Sequence, residues 1–176
     1  QREGAGWGEG GPLAVDDLGW VTSLTPGQYA SSPVFGTHAP EWNSFDPDST
    51  YYCTWEGTGV VELTGFASVE NAGERRLRLR PGQSGGPYLH VRETDPNDYV
   101  RNISIFRSDH ETDVDIQPFW PEFLERWKMF PVMRFMNWMY TNNNICVKWS
   151  DRNVPGSLTQ TLFSGVAYEH IITYCN

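Results

Sequence analysis

Short β-prone runs, some of which alternate strictly between apolar and polar residues, recur between positions 51 and 106. Such runs, bounded by turn residues, predict strands at 51–55, 60–63, 76–80, 88–92 and 100–106. The RLRLR run at 76–80 predicts a half-buried strand with Leu77 and Leu79 facing inward. The first two runs flank a Gly-Thr-Gly triplet at 57–59, which predicts a hairpin. Together the short strands and turn signals predict an antiparallel β-sandwich or jelly roll, and hence a mainly β protein.

The periodicity changes after residue 117. Pro121 suits the first turn of a helix, and apolar residues follow it at helical spacing. The segment 132–139 (VMRFMNWM) is rich in apolar residues and predicts a buried strand. A second helix is predicted because apolar residues recur at i, i+3, i+4 and i+7, namely Tyr168, Ile171, Ile172 and Cys175. Helix, strand, loop and helix in this order indicate a partial α/β segment.

These two patterns predict how the chain is organised into domains. A glycine-rich, flexible lead-in occupies 1–12, and the β-sandwich module follows at 13–106. An acidic linker at 107–117 then leads to the α/β segment at 118–176.

Charge and hydropathy exclude several classes of partner. The formal net charge is -9, whereas nucleic-acid binders neutralise phosphates with clustered Lys and Arg, so a nucleic-acid partner is not expected. No apolar run approaches the roughly 20 residues of a transmembrane helix, so no membrane span is expected. The chain is rich in aromatic residues, with eight Trp and eight Tyr. These rings either fill a β core or form flat platforms for sugar rings.

Several features are typical of a secreted glycoprotein. Cys53, Cys146 and Cys175 allow one disulfide and one odd thiol, with the pairing left open. The triplet Asn102-Ile103-Ser104 is a glycosylation sequon, and the isoleucines on the opposite strand face favour an outward Asn102. The chain begins with Gln1, so either a signal peptide was removed or the sequence is an internal piece. We therefore expect an extracellular or cell-surface location.

Five motifs together carry a resemblance to a known class of protein. They are WEGTG at 55–59, a DP-to-VRNI run at 95–103, a PF-to-RFMNWMYTN run at 118–142, WSDR at 149–152 and GVAYEHII at 165–172. The chain resembles large secreted or surface proteins in which a jelly-roll-like module is fused to a glycosidase-type (β/α)8 barrel. Asn137 stands where that family pattern has Asp. The resemblance implies that 118–176 is the start of such a barrel, without the later strands that carry the catalytic carboxylates.

Candidate sugar-contacting residues lie in and after the predicted strand 132–139. They are Arg134, Asn137, Trp138, Asn142 and Trp149. Burying Arg or Asn is costly without hydrogen bonds, so these side chains form either a satisfied structural network or a sugar-binding surface. In the structural alternative, Asp151 or Glu169 is the expected partner of Arg134.

The acidic residues offer candidate catalytic and metal-binding groups. Glu122 and Glu125 are predicted to lie on a solvated helix face, and Asp151 is predicted to pair locally with Arg152, so no catalytic residue is expected. The acidic run at 109–115 offers calcium candidates, namely Asp109, Glu111, Asp113 and Asp115, but it lacks the EF-hand spacing. A solvated linker without metal or other cofactor is the favoured interpretation of this run.

The sequence therefore predicts an extracellular glycan-associated module that acts by binding or assembly and is not catalytic by itself. Its expected partner is a glycan or polysaccharide, together with other chains or the rest of a larger protein. One alternative is the N-terminal part of a glycoside hydrolase. The other is a structural subunit of an extracellular coat, filament or cell wall.

Overall fold

A computed structural model describes residues 10–34, 46, 48–81, 87–113, 115–160 and 162–176. Of the predicted lead-in, residues 1–9 lie outside the described part of the chain. The protein divides into two compact units. The β unit comprises 1–16 and 20–109, and the aromatic unit comprises 17–19 and 110–176.

The described part of the β unit contains nine strands. They are β1 (Ala14–Val15), β2 (Val21–Ser23), β3 (Ala30–Pro33), β4 (Tyr51–Glu56), β5 (Gly59–Thr64), β6 (Ser68–Gly73), β7 (Arg76–Arg80), β8 (Tyr88–Thr94) and β9 (Arg101–Arg107). Strands pair in the orders β1-β2, β3-β8-β5 and β6-β7-β4-β9, and every pair is antiparallel. The protein is therefore mainly β with antiparallel sheets, an arrangement consistent with a β-sandwich.

The predicted hairpin at 51–63 is wrong. β4 pairs with β7 and β9, whereas β5 pairs with β8 in a different sheet. The turn between them carries the chain from one sheet to the other. It is very tight, since Gly57 has φ +81° and a Cβ there would lie 2.1 Å from the carbonyl oxygen of Tyr99. A two-glycine turn can join strands within a sheet or between sheets, and here the turn packs against Tyr99 and donates from Thr58 N–H to the carbonyl of Asp98 at 2.7 Å.

The core of the β unit is built by the inward residues of β4, β7 and the strands facing them. The most completely buried large side chains are Tyr51, Cys53, Leu79 and Val100. On β5 and β8, Val61, Leu63, Leu89 and Val91 are buried in the alternating pattern of a strand with one covered face. Leu79 faces inward as predicted, while Leu77 is half-buried.

The aromatic unit holds two short helices, α1 (Pro121–Trp127) and α2 (Tyr168–Cys175). Pro121 stands in the first turn of α1, as predicted. The predicted buried strand 132–139 is wrong: this segment is irregular, then forms turns from Met136 onward, and Val132 is 83% exposed. Since no strand occurs in the described residues of 118–176, the start of a glycosidase-like barrel is not shown.

The inward face of α2 differs from the predicted one. Three of the four predicted face residues, Tyr168, Ile172 and Cys175, are exposed. His170 and Tyr174 instead pack edge-on against Phe119, with ring centroids 6.5 and 5.6 Å apart. The large rings of this helix thus determine which face is covered, and its isoleucines do not.

Candidate functional site

An aromatic cluster forms the interior of the aromatic unit, with Trp138 at its centre. Phe119 and Phe123 lie nearly parallel to the Trp138 ring, with centroids 5.9 and 6.5 Å away. Phe135 and Tyr174 approach it at steeper angles, at 5.5 and 5.9 Å. Such ring pairs stabilise by about 0.5–1.5 kcal/mol beyond the area they bury, so the cluster fixes the orientation of Trp138.

An open pocket of about 470 Å³ lies beside this cluster. It is lined by Pro118, Phe119, Asn137, Trp138, Tyr140, Gln160, Val166 and His170. Two predicted site residues, Asn137 and Trp138, therefore meet at one cavity. Burial lowers the pKa of His170, opposed by the charge of Glu169, so the neutral ring is favoured at the edge of this pocket.

The third predicted residue, Asn142, lines a smaller neighbouring cavity of about 250 Å³. Asn137 and Tyr140 line both cavities. Tyr140 has φ +50°, a left-handed conformation that is unusual for an aromatic residue and costs of order 1–3 kcal/mol. Asn144 supports this turn, because its Nδ2 donates to the carbonyl of Met139 at 2.7 Å.

Amide side chains hold the irregular segments that border the pocket beside Trp138. Gln160 donates to the carbonyl of Val154 at 2.8 Å and accepts from the backbone N–H of Ala167 at 2.9 Å. That second bond satisfies an N–H group at the start of α2. Asn153 donates to the carbonyl of Gly165, at a glycine whose added Cβ would lie 2.9 Å from Met139.

Trp149 forms a separate exposed aromatic surface. Its side chain is 66% exposed and lies 5.3 Å from the ring of Tyr168, which is 43% exposed. The guanidinium of Arg152 lies 4.2 Å from the centroid of the Trp149 ring and donates to Glu169. We call this group, Trp149, Tyr168, Arg152 and Glu169, the Trp149 platform.

The predicted ion pair between Asp151 and Arg152 is wrong. Arg152 pairs with Glu169 rather than with its neighbour Asp151, which accepts instead from the backbone N–H of Lys148 and from the hydroxyl of Ser150. The reason is local, since Asp151 ends a 3-10 turn and closes a capping box there.

Arg134 is not the buried, charge-paired residue that the sequence suggested. It is exposed, and its Nη2 lies 3.0 Å from Sδ of Met136. Because 132–139 is not a buried strand, the Arg134 side chain reaches solvent and needs no carboxylate partner. Arg134 also does not line either of the two cavities described above.

The acidic run at 109–115 shows no assembled metal site. Asp109 pairs with Arg107 at 2.6 Å, and Glu111, Asp113 and Asp115 are exposed. Across the described ranges, no three side chains of His, Cys, Asp or Glu come together as metal ligands.

A groove of about 850 Å³ on the β unit was missed by the sequence reasoning. Its polar centre is Arg92, whose Nε donates to Glu62 at 2.5 Å and whose guanidinium lies 4.2 Å from the centroid of the Tyr29 ring. The available signal was the alternation of 88–92, which turns His90 and Arg92 away from the buried Leu89 and Val91.

His90 lies beside this centre on the same sheet face. Its Nδ1 contacts the hydroxyl of Ser31, and its Nε2 lies 3.0 Å from that of Thr64. The rings of Tyr29 and Tyr88 flank it at 5.8 and 6.3 Å. Burial and then the charge of Arg92 lower the pKa of His90, with Glu62 opposing them, so the ring is favoured in its neutral form.

The cysteines and the sequon complete the candidate chemistry. The disulfide that the sequence allows is not formed, because Cys53, Cys146 and Cys175 are all free thiols. Cys53 is enclosed in the core, and this burial raises the pKa of its thiol to about 12. Asn102 is exposed, as predicted, and has φ +50°.

Comparisons with protein-family models, with curated proteins and with solved structures found no match. Within the part of the chain that the structure describes, no helix is both long and apolar enough to cross a bilayer.

Proposed function

We propose that this protein is an extracellular glycan-binding module that acts by binding or assembly and is not catalytic by itself. The observation that carries the proposal is the Trp149 platform, in which two adjacent aromatic side chains are exposed and held from behind. A ring that exposes its apolar face and keeps a polar edge matches a sugar, whose C–H face is apolar and whose rim carries hydroxyls.

The platform is preorganised. Arg152 contacts Trp149 and pairs with Glu169 on α2, so the charged side chains of the platform hold the Trp149 ring in place. Ordering a rotamer-rich side chain on binding costs about 0.5–1.5 kcal/mol, and a ring held in place avoids part of that cost.

The pocket beside Trp138 supports the same function. Its aromatic wall of Phe119, Trp138 and Tyr140 is interrupted by the amides of Asn137 and Gln160. An amide both donates and accepts hydrogen bonds, as a sugar hydroxyl does, so a few amides on an apolar wall can orient a sugar ring.

The absence of catalysis is part of the proposal. Glycoside hydrolysis needs two carboxylates flanking one bond. Asp151 is used in capping the backbone at Lys148, and Glu125 pairs with Lys128 on the surface of α1. Neither carboxylate lines the pocket beside Trp138.

Depletion assays on insoluble cellulose, chitin and xylan test this function. Wild-type protein is expected to bind at least one of them, and Trp149→Ala is expected to weaken that binding about tenfold or more. Val147→Ala is the matched control, because Val147 is 88% exposed in the same segment. Equal binding by wild type and Trp149→Ala, or binding to none of the polymers, would contradict the proposal.

The mass of the source protein and an activity assay distinguish the binding function from the enzymatic alternative. If the chain is the N-terminal part of a glycoside hydrolase, the intact mass of the source protein must exceed that of 176 residues. Release of reducing sugar by the purified chain, lost on changing Glu122, Glu125 or Asp151, would establish catalysis and reject the binding-only function.

A structural subunit of a coat, filament or cell wall is the second candidate. It is favoured by apolar side chains that the aromatic unit leaves exposed, namely Ile116, Met129, Val132, Ile145 and Val147. These side chains would be covered if the protein packs against other chains in an assembly. Sedimentation over a range of concentrations tests this candidate, which requires association that Val132→Glu or Val147→Glu reduces.

A further inference from the structure

We propose that the groove on the β unit is a second binding site, for a neutral saccharide chain. It has a volume of about 850 Å³. It is lined by Leu24, Thr25, Pro26, Gly27, Gln28, Tyr29, Glu62, Arg92, Glu93 and Thr94. All of these residues belong to the β unit, so the site is complete without the aromatic unit.

One wall of the groove is a loop that is fixed from inside. Gln28 is only 7% exposed, and its Nε2 donates to the carbonyls of Gly10 and Pro12 at 3.0 and 3.1 Å. Its Oε1 accepts from the backbone N–H and the hydroxyl of Thr25, at 3.1 and 3.2 Å. Because a single buried amide makes these four bonds, the wall is formed before any ligand arrives.

The floor of the groove combines an ion pair with an aromatic ring. Arg92 is sandwiched between the carboxylate of Glu62 and the face of Tyr29. Hydrogen bonding to Glu62, which outweighs burial, raises the pKa of Arg92, so Arg92 stays charged in the groove. Charged donors and acceptors make stronger hydrogen bonds than neutral ones. Here a charged donor, Arg92, lies beside a charged acceptor, Glu62.

His90 fixes this floor from the neighbouring position. Its ring meets the Tyr29 ring edge-on at 5.8 Å and is itself anchored at both nitrogens by Ser31 and Thr64. Tyr29 is thus held by His90 on one side and by Arg92 on another. His90 is a positioning residue, because it does not line the groove itself.

Charge selects the class of ligand. The charged residues that line the groove are Glu62, Arg92 and Glu93, and the charges of Arg92 and Glu62 offset each other. The remaining carboxylate of Glu93 and the overall charge of -9 both repel anions. A neutral polyol satisfies the guanidinium and the carboxylate together, since each hydroxyl can donate to Glu62 or accept from Arg92.

The site deepens the glycan-binding function proposed above and rests on it, but its test is separate, because the groove and the Trp149 platform are read out at different residues. An NMR titration of the full chain, followed residue by residue, tests this site with four neutral ligands: cellohexaose, xylohexaose, mannohexaose and laminarihexaose. At least one hexasaccharide is expected to give saturable shifts centred on Tyr29, Glu62 and Arg92. The absence of such shifts with all four, or shifts confined to the aromatic unit, would overturn the proposal.

Variants sharpen the test. Arg92→Met is expected to weaken the binding of that hexasaccharide about tenfold or more, whereas Trp149→Ala leaves the groove shifts unchanged. Arg78→Met is the matched control, because Arg78 forms a similarly exposed pair with Glu70 on the other sheet. Should Arg92→Met fail to fold, Glu62→Gln keeps the side-chain shape and removes the charge. Unchanged affinity in the folded variant, or tighter binding of hexagalacturonate than of every neutral probe, would reject the neutral-saccharide site.

Discussion

Arg152 stacks on Trp149, with its guanidinium carbon 4.2 Å from the centroid of the indole ring. The same guanidinium donates to Glu169 in the first turn of α2, so one side chain links the exposed ring to the helix. The Arg152 side chain is 18% exposed, which places it behind Trp149 rather than in solvent. A cation on an aromatic face contributes about 0.5–1 kcal/mol at an exposed site and more when it is desolvated.

Arg152→Met is therefore expected to destabilise the protein by about 1–2 kcal/mol, since it removes the stacking and leaves Glu169 unpaired. Lys128→Met is the control, because Lys128 and Glu125 form an ion pair in which both partners are well exposed. That variant should change the unfolding free energy by no more than about 0.5 kcal/mol. Urea unfolding followed by Trp fluorescence measures both, and equal effects would contradict the supporting role of Arg152.

Gly57→Ala is expected to be strongly destabilising. A Cβ at this position would lie 2.1 Å from the Tyr99 carbonyl oxygen and would also occupy a left-handed conformation. Gly27→Ala isolates the second effect, because Gly27 has φ +76° with no atom within 4 Å of the added Cβ. The expected losses are about 3 kcal/mol or more for Gly57 and about 1 kcal/mol for Gly27. Similar thermal midpoints in the two variants would show that the turn is not tightly packed.

Five of the nine strands in the described residues, and the first helix, could be predicted from local pattern. The alternation at 76–80 and 88–92 and the proline at 121 each reflect interactions within a few residues, and β7, β8 and α1 follow them. The partner of each strand could not be read in the same way. The chain crosses between sheets at Gly57, where the turn packs against Tyr99, a residue distant in sequence.

The strand predicted at 132–139 is wrong for a related reason. Apolar content alone does not distinguish a buried strand from a turn whose rings pack sideways, and Phe135 and Trp138 pack on Tyr174 from such a turn. Within the candidate site, Asn137, Trp138, Asn142 and Trp149 fall at cavities or exposed rings, and Arg134 does not. The groove at Arg92 depends on a pairing between β5 and β8 that the sequence does not specify.

Thiol chemistry distinguishes the three cysteines. Cys175 is exposed and is expected to react fastest with iodoacetamide in the folded protein at pH 8. Cys53 should stay unmodified until the protein unfolds, because its burial blocks the reagent and raises its pKa to about 12. Peptide mass mapping after timed labelling measures each site. Early labelling of Cys53, or a disulfide-linked peptide in the unreduced sample, would contradict the arrangement of free thiols.

The stability of the protein is expected to fall as the pH drops below about 6.5. Burial and Arg92 lower the pKa of His90 below its unfolded value of 6.5, so the folded state binds fewer protons. The stabilisation is complete above that value and is lost as the pH falls through the folded pKa. His90→Gln should therefore show a smaller loss of unfolding free energy between pH 7.5 and 5 than wild type. Burial also lowers the pKa of His170. His170 should therefore account for a separate part of the loss of unfolding free energy at low pH, and His170→Gln should remove that part.

Asn102 is expected to carry a glycan when the protein is made in a secretory host. The outward orientation was predicted from simple alternation, but it has a different physical origin. Asn102 and Ile103 together oppose Trp55, since Thr54 pairs with Ser104 and Glu56 with Arg101, and φ +50° at Asn102 marks a β-bulge. The bulge turns the Asn102 side chain to solvent while Val100 on the same alternate row is buried.

Ser104→Ala removes the sequon and leaves the bulge residue intact, so it should abolish the glycan without loss of folding. An endoglycosidase-sensitive mass on the wild type alone is the expected result, and an unmodified wild type would contradict it.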